Sequence, residues 1–343
     1  MNAQGAISLS VSVIIPTFKR MDLLPRCLEG VETLQPRPIE VVISYRPDDD
    51  PDTARWLHDN AKDHSLWRLV SVERAGVVCA LNAAIDVARG DILAIFDDDA
   101  VPRPDWLEKI LGHFRDDDVG AAGGRDIVFD GDGAPVLHPT VTRAGYRDFW
   151  GMIRGGHHLV VGPPRAVEVV KGSNWALRRS ALGTLRLDER LLGSGAQVAN
   201  ESWLCINLRK AGWRIILDPN AIVDHYPGVK PDYAYGTWSK IKCFHWTANH
   251  VATQRAFTDS LTRLRFFLFC VAVGFRHCPG LYFILHSLAK RPKSLPGQLI
   301  GGWSGYFAGL RMAREFERAP PGTPSTPPKF RAPARAESPI VSL

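Results

Sequence analysis

Apolar and polar positions in the first 225 residues follow two alternating rhythms. Short apolar runs, Val11-Ser12-Val13-Ile14-Ile15-Pro16, Glu40-Val41-Val42-Ile43-Ser44-Tyr45 and Asp91-Ile92-Leu93-Ala94-Ile95-Phe96, read as buried strands. Between and around them, residues 20–31, 52–64 and 78–88 carry helical spacing. Pro104 suits a first helical position, with Asp105 and Glu108 in the positive first turn of a helix reaching about Phe114. Residues 119–123 give a further short strand. The pattern predicts an α/β fold, a Rossmann-like, mostly parallel sheet with helices on both faces. Residues 125–164 interrupt it with glycines such as Gly131, Gly133, Gly145, Gly151, Gly155 and Gly156 and predict loops with a hairpin. A helix over 200–211 ends at Gly212, a suitable C′ residue, and short strands follow at 214–217 and 222–223.

After Tyr226 the chain becomes basic, aromatic and helical. Residues 261–275 and 281–289 predict apolar helices rimmed by Arg263, Arg265, Arg276, Lys290, Arg291 and Lys293. Gly297, Gly301, Gly305 and Gly309 recur every four residues. On a helix they form one smooth ridge, suited to close packing against the protein's own helices or within lipid. Residues 319–343, rich in Pro, Ser and Thr, predict a disordered tail. The expected division is therefore an α/β domain over 1–226, a basic helical extension over 227–318 and the tail.

Composition narrows the options. A chain of 343 residues with 45% hydrophobic content has material for about two domains and is not globally disordered. The net charge of +6 is regional: residues 228–318 hold 13 Lys or Arg and 4 Asp or Glu, a local +9, which leaves −3 elsewhere. This favours an anionic membrane surface as partner for that segment and argues against nucleic acid as partner of the whole. Six cysteines without a Cys-x-x-Cys pair suggest buried thiols in a reducing compartment rather than a disulfide framework or zinc site. Met1 to Ser10 lacks the basic and apolar regions of a signal peptide, and no apolar run approaches the roughly 20 residues of a span. A cytoplasmic location is expected, with peripheral attachment at the inner face of the membrane.

The strongest chemical signal is Asp97-Asp98-Asp99, directly after a buried strand. Ligands of open α/β sheets bind outside the carboxyl ends of strands. Adjacent carboxylates there need a cation or hydrogen bonds to offset their repulsion. On an extended segment Asp97 and Asp99 face the same way, and hard oxygen ligands suit Mg²⁺ or Mn²⁺ shared with a diphosphate. The competing reading is a solvated acidic turn before the Pro104 helix.

The run Ser12-Val13-Ile14-Ile15-Pro16-Thr17-Phe18, the block Ala80-Leu81-Asn82-Ala83-Ala84-Ile85 leading to Gly90-Asp91-Ile92, and the three aspartates together resemble family 2 glycosyltransferases. The resemblance continues through Lys171-Gly172-Ser173-Asn174-Trp175 and Leu204-Cys205-Ile206-Asn207-Leu208, covering about residues 10–226. It implies a GT-A fold and metal-dependent, inverting transfer from a nucleoside-diphosphate sugar to a hydroxyl, in surface or exopolysaccharide assembly with a glycan or lipid-linked acceptor. By that resemblance Pro16, Thr17 and Phe18 lie at the nucleotide, Asn82 lies near base or ribose, and Asp97 and Asp98 lie on the donor side. Asp99 is the principal metal ligand, and Gly172 and Ser173 border the donor sugar. Asn82 could equally be a helix-packing amide and Thr17 a turn hydroxyl.

Two departures from the family pattern stand out. The usual Asp-Asp-Gly-Ser after the second strand is replaced by Arg46-Pro47-Asp48-Asp49-Asp50, where Arg46 could meet phosphate and an aspartate such as Asp50 the base, or all could be solvated. The usual Glu-Asp pair becomes Asn200-Glu201, which leaves Glu201 as general base or as a first-turn helix residue. His225 is a further metal ligand, a diphosphate contact or a packed polar residue. His157 and His158 read as a loop feature, and Trp150, Trp175 and Trp203 as sugar platforms or core. The rival classes are a sugar nucleotidyltransferase, whose Gly-rich loop is missing at Pro16-Thr17-Phe18-Lys19-Arg20, and a non-catalytic nucleotide-sugar binding protein.

Overall fold

The computed structural model describes residues 9–193, 195–227, 239–290 and 294–327. In chain order, the first elements are β1 (Val11–Pro16), α1 (Leu24–Glu32), β2 (Glu40–Tyr45), α2 (Pro51–Asn60), β3 (Trp67–Ser71), α3 (Val77–Val87) and β4 (Ile92–Phe96). Next come β5 (Ala100–Pro102), α4 (Trp106–His113), β6 (Val119–Val128), β7 (Tyr146–Arg147), β8 (Ile153–Arg154) and β9 (Arg165–Ala166). Then follow β10 (Asn174–Arg178), α5 (Arg179–Leu182), α6 (Asn200–Lys210) and β11 (Arg214–His225). The last are α7 (Lys240–Ala256), α8 (Ser260–Ala272), β12 (Gly274–Phe275), β13 (Cys278–Pro279), α9 (Leu281–Lys290) and α10 (Leu295–Arg318).

The main sheet runs β3-β2-β1-β4-β10-β6-β11-β5, with β9 beside β11. Strands β3, β2, β1 and β4 are mutually parallel, as are β6 and β11. Both faces of the sheet are covered, which is why its central strands read as continuous apolar runs. Ile14, Val42, Leu93 and Ile95 point into one core with α3 and α6, while Val13, Ile15, Val41 and Ile43 point into a second with α1, α2 and α4. The strand order reverses between β1 and β4. Such a switch point opens a crevice at the carboxyl ends of the two strands.

The predicted hairpin in the 125–164 stretch is β7–β8. Strand β10 was not predicted. It inserts antiparallel between β4 and β6, pairing Asn174 with Phe96 and Trp175 with Gly123. Strand β11 is longer than expected, running through an irregularity between Leu217 and Ile222.

The glycine ridge packs on the protein's own helix. A Cβ on Gly301, Gly305 or Gly309 would collide with the carbonyl of Lys240, Phe244 or Ala248, so α10 lies directly on the backbone of α7. The contacts advance by four residues on both helices in the same direction, which makes the pair parallel. Ala252 and Ala256 of α7 and Phe316 of α10 then join the main core, with Phe316 edge-on to Trp203.

Residues 319–327, expected within the disordered tail, instead run back over the α/β layer. Thr184 donates its N–H to Thr323 O, Arg186 donates its N–H to Pro321 O, and Trp213 Nε1 donates to Ser325 O at 2.7 Å. Backbone hydrogen bonding overrides the proline-rich composition here. The rest of the expected tail, residues 328–343, lies outside the described residues. All six cysteines are buried free thiols.

The α7–α10 seam predicts its own test. Gly305→Ala places a methyl 2.5 Å from the Phe244 carbonyl oxygen, a backbone atom that cannot rotate away. The variant should lose about 1–3 kcal/mol of stability in a denaturant titration, against a gain of about 1 kcal/mol expected from helix propensity alone.

Candidate active site

The switch-point crevice collects most of the residues singled out from the sequence. The end of β1 supplies Pro16, Thr17 and Phe18, and the end of β2 supplies Ser44, Tyr45 and then Arg46. Strand β4 delivers Asp97 and Asp98. Because β10 begins opposite the last residue of β4, the preceding Lys171-Gly172-Ser173 turn arrives at the same end. Helix α6 contributes Glu201 from its first turn, and β11 ends in His225 beside Ala100. Together they line a cavity of about 430 Å³.

Asp97, Asp99 and His225 form a compact triad whose ligand atoms lie within 4.8 Å of one another. His225 Nε2 is 3.0 Å from Asp99 Oδ1, and both side chains are almost fully buried. The two aspartates meet because the chain turns after β4, Ala100 donating its N–H to Asp97 O at 3.1 Å, rather than through the extended alternation expected from the sequence. Two carboxylates and an imidazole could together hold a divalent metal ion. Arg20 Nη2 approaches Asp99 Oδ2 from the other side at 3.4 Å.

Behind the triad lies a second buried acid, Asp126 on β6. It receives Ser173 Oγ at 2.9 Å, Asn174 Nδ2 at 3.1 Å and the Lys171 ammonium, and it lies 3.5 Å from His225 Nδ1. Despite burial, which alone would raise it, the nearby Lys171 and His225 charges and these hydrogen bonds hold its carboxyl below the usual range. A carboxylate behind a histidine in this way orients the ring.

Asp98 is pushed up to about 7 by burial and then by the charge of Asp99, partly offset by Arg20. Glu201 is also pushed up to about 7, first by burial, with Asp97 adding to the rise. Ala199, immediately before α6, takes φ +71°, a left-handed conformation that costs a residue with a Cβ about 1 kcal/mol or more. That turn starts the helix where its first-turn carboxylate faces the cavity. Gly172 lies against this carboxylate: a Cβ there would sit 3.5 Å from Glu201 Oε2.

Two candidates lie elsewhere. Asn82 does not line the cavity. Its amide accepts from Leu187 N and donates to Leu187 O, both at 3.0 Å, so it ties α3 to the 187–189 segment. Asp50 caps α2 through Thr53 N and accepts from Lys19 N at 2.5 Å, a buried loop-fixing role rather than contact with a base. Arg46 remains at the cavity, paired with Asp49 and 5.5 Å from the Phe18 ring centre. Trp175 and Trp203 are core, Trp150 is exposed, and His157 Nε2 bonds Val169 O.

Sequence reasoning missed Arg20, Lys171, Asp126, Trp246 and His250. The last two lie on α7, beyond the 226 boundary, and line the same cavity. Trp246 stacks on His277 at 3.9 Å and meets the tilted ring of His250 at 3.8 Å. Burial pushes His250 down to about 4 and His277 down to about 3, which keeps this wall aromatic and uncharged. The only sequence signal was the aromatic richness of the segment.

Comparison with known proteins agrees with this geometry. A family profile described as "Glycosyl transferase family 2" matches residues 12–186. Escherichia coli chondroitin synthase is 31% identical over 107 residues, covering 31% of this chain and 16% of that protein. A Mycobacterium tuberculosis pre-mycofactocin glycosyltransferase is 28% identical over 150 residues, 44% of this chain and 30% of that protein. The chain thus spans less than a third of either relative. A Haloferax volcanii glucosyl-dolichyl phosphate glucuronosyltransferase is 24% identical over 229 residues, 63% of this chain and 69% of that protein. Among solved structures, S. aureus TarS with UDP-GlcNAc aligns at TM-score 0.57 and 12% identity, covering 88% of this chain and 82% of that one. GalNAc-T7 with UDP, GalNAc and Mn²⁺ aligns at 0.53 and 16% identity, covering 83% and 57%. The fold is GT-A.

The buried Glu201 gives a stability prediction independent of activity. Between its ordinary 4.5 and about 7 the unfolded chain releases this proton while the folded chain keeps it. Its contribution therefore becomes more destabilising as pH rises across that window and is at its worst above it. Metal-free Glu201→Gln should melt higher than wild type at about pH 8, with the gap closing by about pH 5. Scanning calorimetry would show this, and identical melting at both values would mean that the carboxylate is solvated.

Proposed function

The chain belongs to glycosyl transferase family 2, and from that premise we propose a metal-dependent, inverting transfer of a sugar from a nucleoside-diphosphate donor to a hydroxyl acceptor. The observation that carries this reading is the convergence of Asp97, Asp99 and His225, with Asp97 and His225 lining the cavity that Glu201 also lines. In support, the related folds include GalNAc-T7 and a Pyrobaculum calidifontis mannosyltransferase, both solved with Mn²⁺.

In this reading Thr17, Phe18 and Arg46 hold the nucleotide side of the donor, and Asp97 and Asp98 face its ribose and diphosphate. Gly172 and Ser173 border the donor sugar. Asp97, Asp99 and His225 would hold Mn²⁺ or Mg²⁺, which would supply positive charge against the departing diphosphate. Lys171, part-exposed in the same cavity, adds a fixed positive charge on that side. Glu201 accepts the proton of the acceptor hydroxyl. The acceptor oxygen then bonds to the anomeric carbon as the bond to the diphosphate oxygen breaks, and attack from the opposite face inverts the configuration. A base whose carboxyl sits near 7 is matched to neutral pH. The bare Gly172 leaves room in front of that base for the incoming hydroxyl.

Residues 1–226 carry the donor and metal side, while α7 beyond that boundary supplies the aromatic wall of Trp246 and His250. The acceptor is a glycan or lipid-linked glycan of surface or exopolysaccharide assembly. The names of two relatives, chondroitin synthase and glucosyl-dolichyl phosphate glucuronosyltransferase, support that class.

A thermal-shift panel of nucleoside diphosphates with Mn²⁺ should show one base raising the melting temperature in a metal-dependent way. Asp99→Ala should remove the metal-dependent part. Glu201→Gln should keep it while lowering transfer about a hundredfold or more. Donor turnover that survives both substitutions would defeat the assignment, and no response to any nucleotide would favour a non-catalytic role.

A further inference from the structure

Helices α8 and α9 leave apolar faces uncovered. On α8, Leu261, Leu264, Leu268 and Val271 follow one helical stripe and are each 44–54% exposed. On α9, Leu281, Leu285 and Leu288 do the same at 54–62%. The two helices are in contact and are joined by the short β12–β13 hairpin, which sets the two exposed stripes on neighbouring elements. A loop from the α/β layer extends this surface. Trp150 lies 6.2 Å from Phe269, and the exposed Phe149 ring stacks under Arg265 at 4.3 Å. Large apolar side chains exposed together on neighbouring elements mark an interaction surface.

Charge selects the occupant. Residues 260–314 contain eight Lys or Arg and no Asp or Glu, although acids are common elsewhere in the chain. A second copy seated on the same face would set like charge against like. No helix among the described residues is long and apolar enough to cross a membrane. Helices α8 and α9, of 13 and 10 residues, would reach only about 20 Å and 15 Å against a hydrocarbon core of about 30 Å. Short helices with apolar faces, interfacial aromatics and basic flanks fit the plane of a bilayer surface.

We infer that the α8–α9 face, with Phe149 and Trp150, docks in the plane of an anionic lipid bilayer. The apolar stripes enter the headgroup boundary, while Arg265, beside Phe149, meets lipid phosphates. This surface stands apart from the transfer chemistry, so it can be tested without a substrate.

The test is co-sedimentation of the full chain with phosphatidylcholine vesicles, with and without phosphatidylglycerol. Binding is expected to the phosphatidylglycerol vesicles and to weaken in added salt. The double variant Leu264→Glu, Leu285→Glu changes only exposed positions. It should lose binding by about tenfold or more while its circular dichroism and melting temperature stay at wild-type values. Wild type remaining in the supernatant with both vesicle types would overturn the inference, as would undiminished binding of the folded variant. Self-association in analytical ultracentrifugation that the variant abolishes, without lipid binding, would assign the face to a second copy instead.

Discussion

Asp97, Asp98 and Asp99 crowd three carboxylates at the end of a buried strand. At 4.8 Å and an effective dielectric of about 20, two unit charges repel by about 3 kcal/mol. Much of the surrounding architecture offsets that repulsion. Arg20 reaches in before α1, and β11 ends by setting His225 against Asp99, while Lys171 balances Asp126 behind it. Asp98 responds differently, its carboxyl rising towards neutrality rather than adding a third full charge. A cation at the triad would complete the compensation. The arrangement holds a strong negative potential ready for a metal and positive side chains ready for phosphate, within one cavity.

The sequence disclosed the elements whose signals are local. The strands β1, β2 and β4 are buried on both faces and so appear as apolar runs, and the Asp-Asp-Asp cluster follows directly from where β4 ends. Asp97 and Asp99 do come together as expected, but through a turn closed by Ala100 N–H on Asp97 O and not through strand alternation. Features that depend on long-range pairing were not legible. Nothing local distinguishes β10 as antiparallel, because Asn174 to Arg178 forms a strand through its neighbours β4 and β6. Asn82 and Asp50 show the same limit at single residues. Each looks polar and available, yet each is committed to a backbone far along the chain or at a helix start. Asp126 escaped notice because its role depends on β6 lying beside β11, over 80 residues away.

The helical segment after residue 226 is not an appendage to the α/β layer. It completes one wall of the cavity through Trp246 and His250, shares the main core through Ala252, Ala256 and Phe316, and is strapped down by residues 319–327. The hairpin between α8 and α9 carries His277, whose ring lies flat on Trp246. One layer of aromatic contact therefore separates the exposed helices from the cavity. The aromatic wall is uncharged, in contrast to the ion-rich metal side. The two halves of the cavity thus offer different chemistry, one for phosphate and one for a sugar face or an apolar group.

The parallel packing of α7 on α10 has a topological consequence. Two adjacent antiparallel helices can be joined by a tight turn, but two parallel ones need a connection long enough to travel back the full length of the pair. The stretch containing α8, the β12–β13 hairpin and α9 is that return path. Lengthening a surface connection costs little, since closure entropy grows only with the logarithm of its length. The glycine seam, by contrast, tolerates no shift in register. This return path can therefore act as an interchangeable cassette: its outer residues are free to diverge and adapt to different surroundings while the seam holds Trp246 in place.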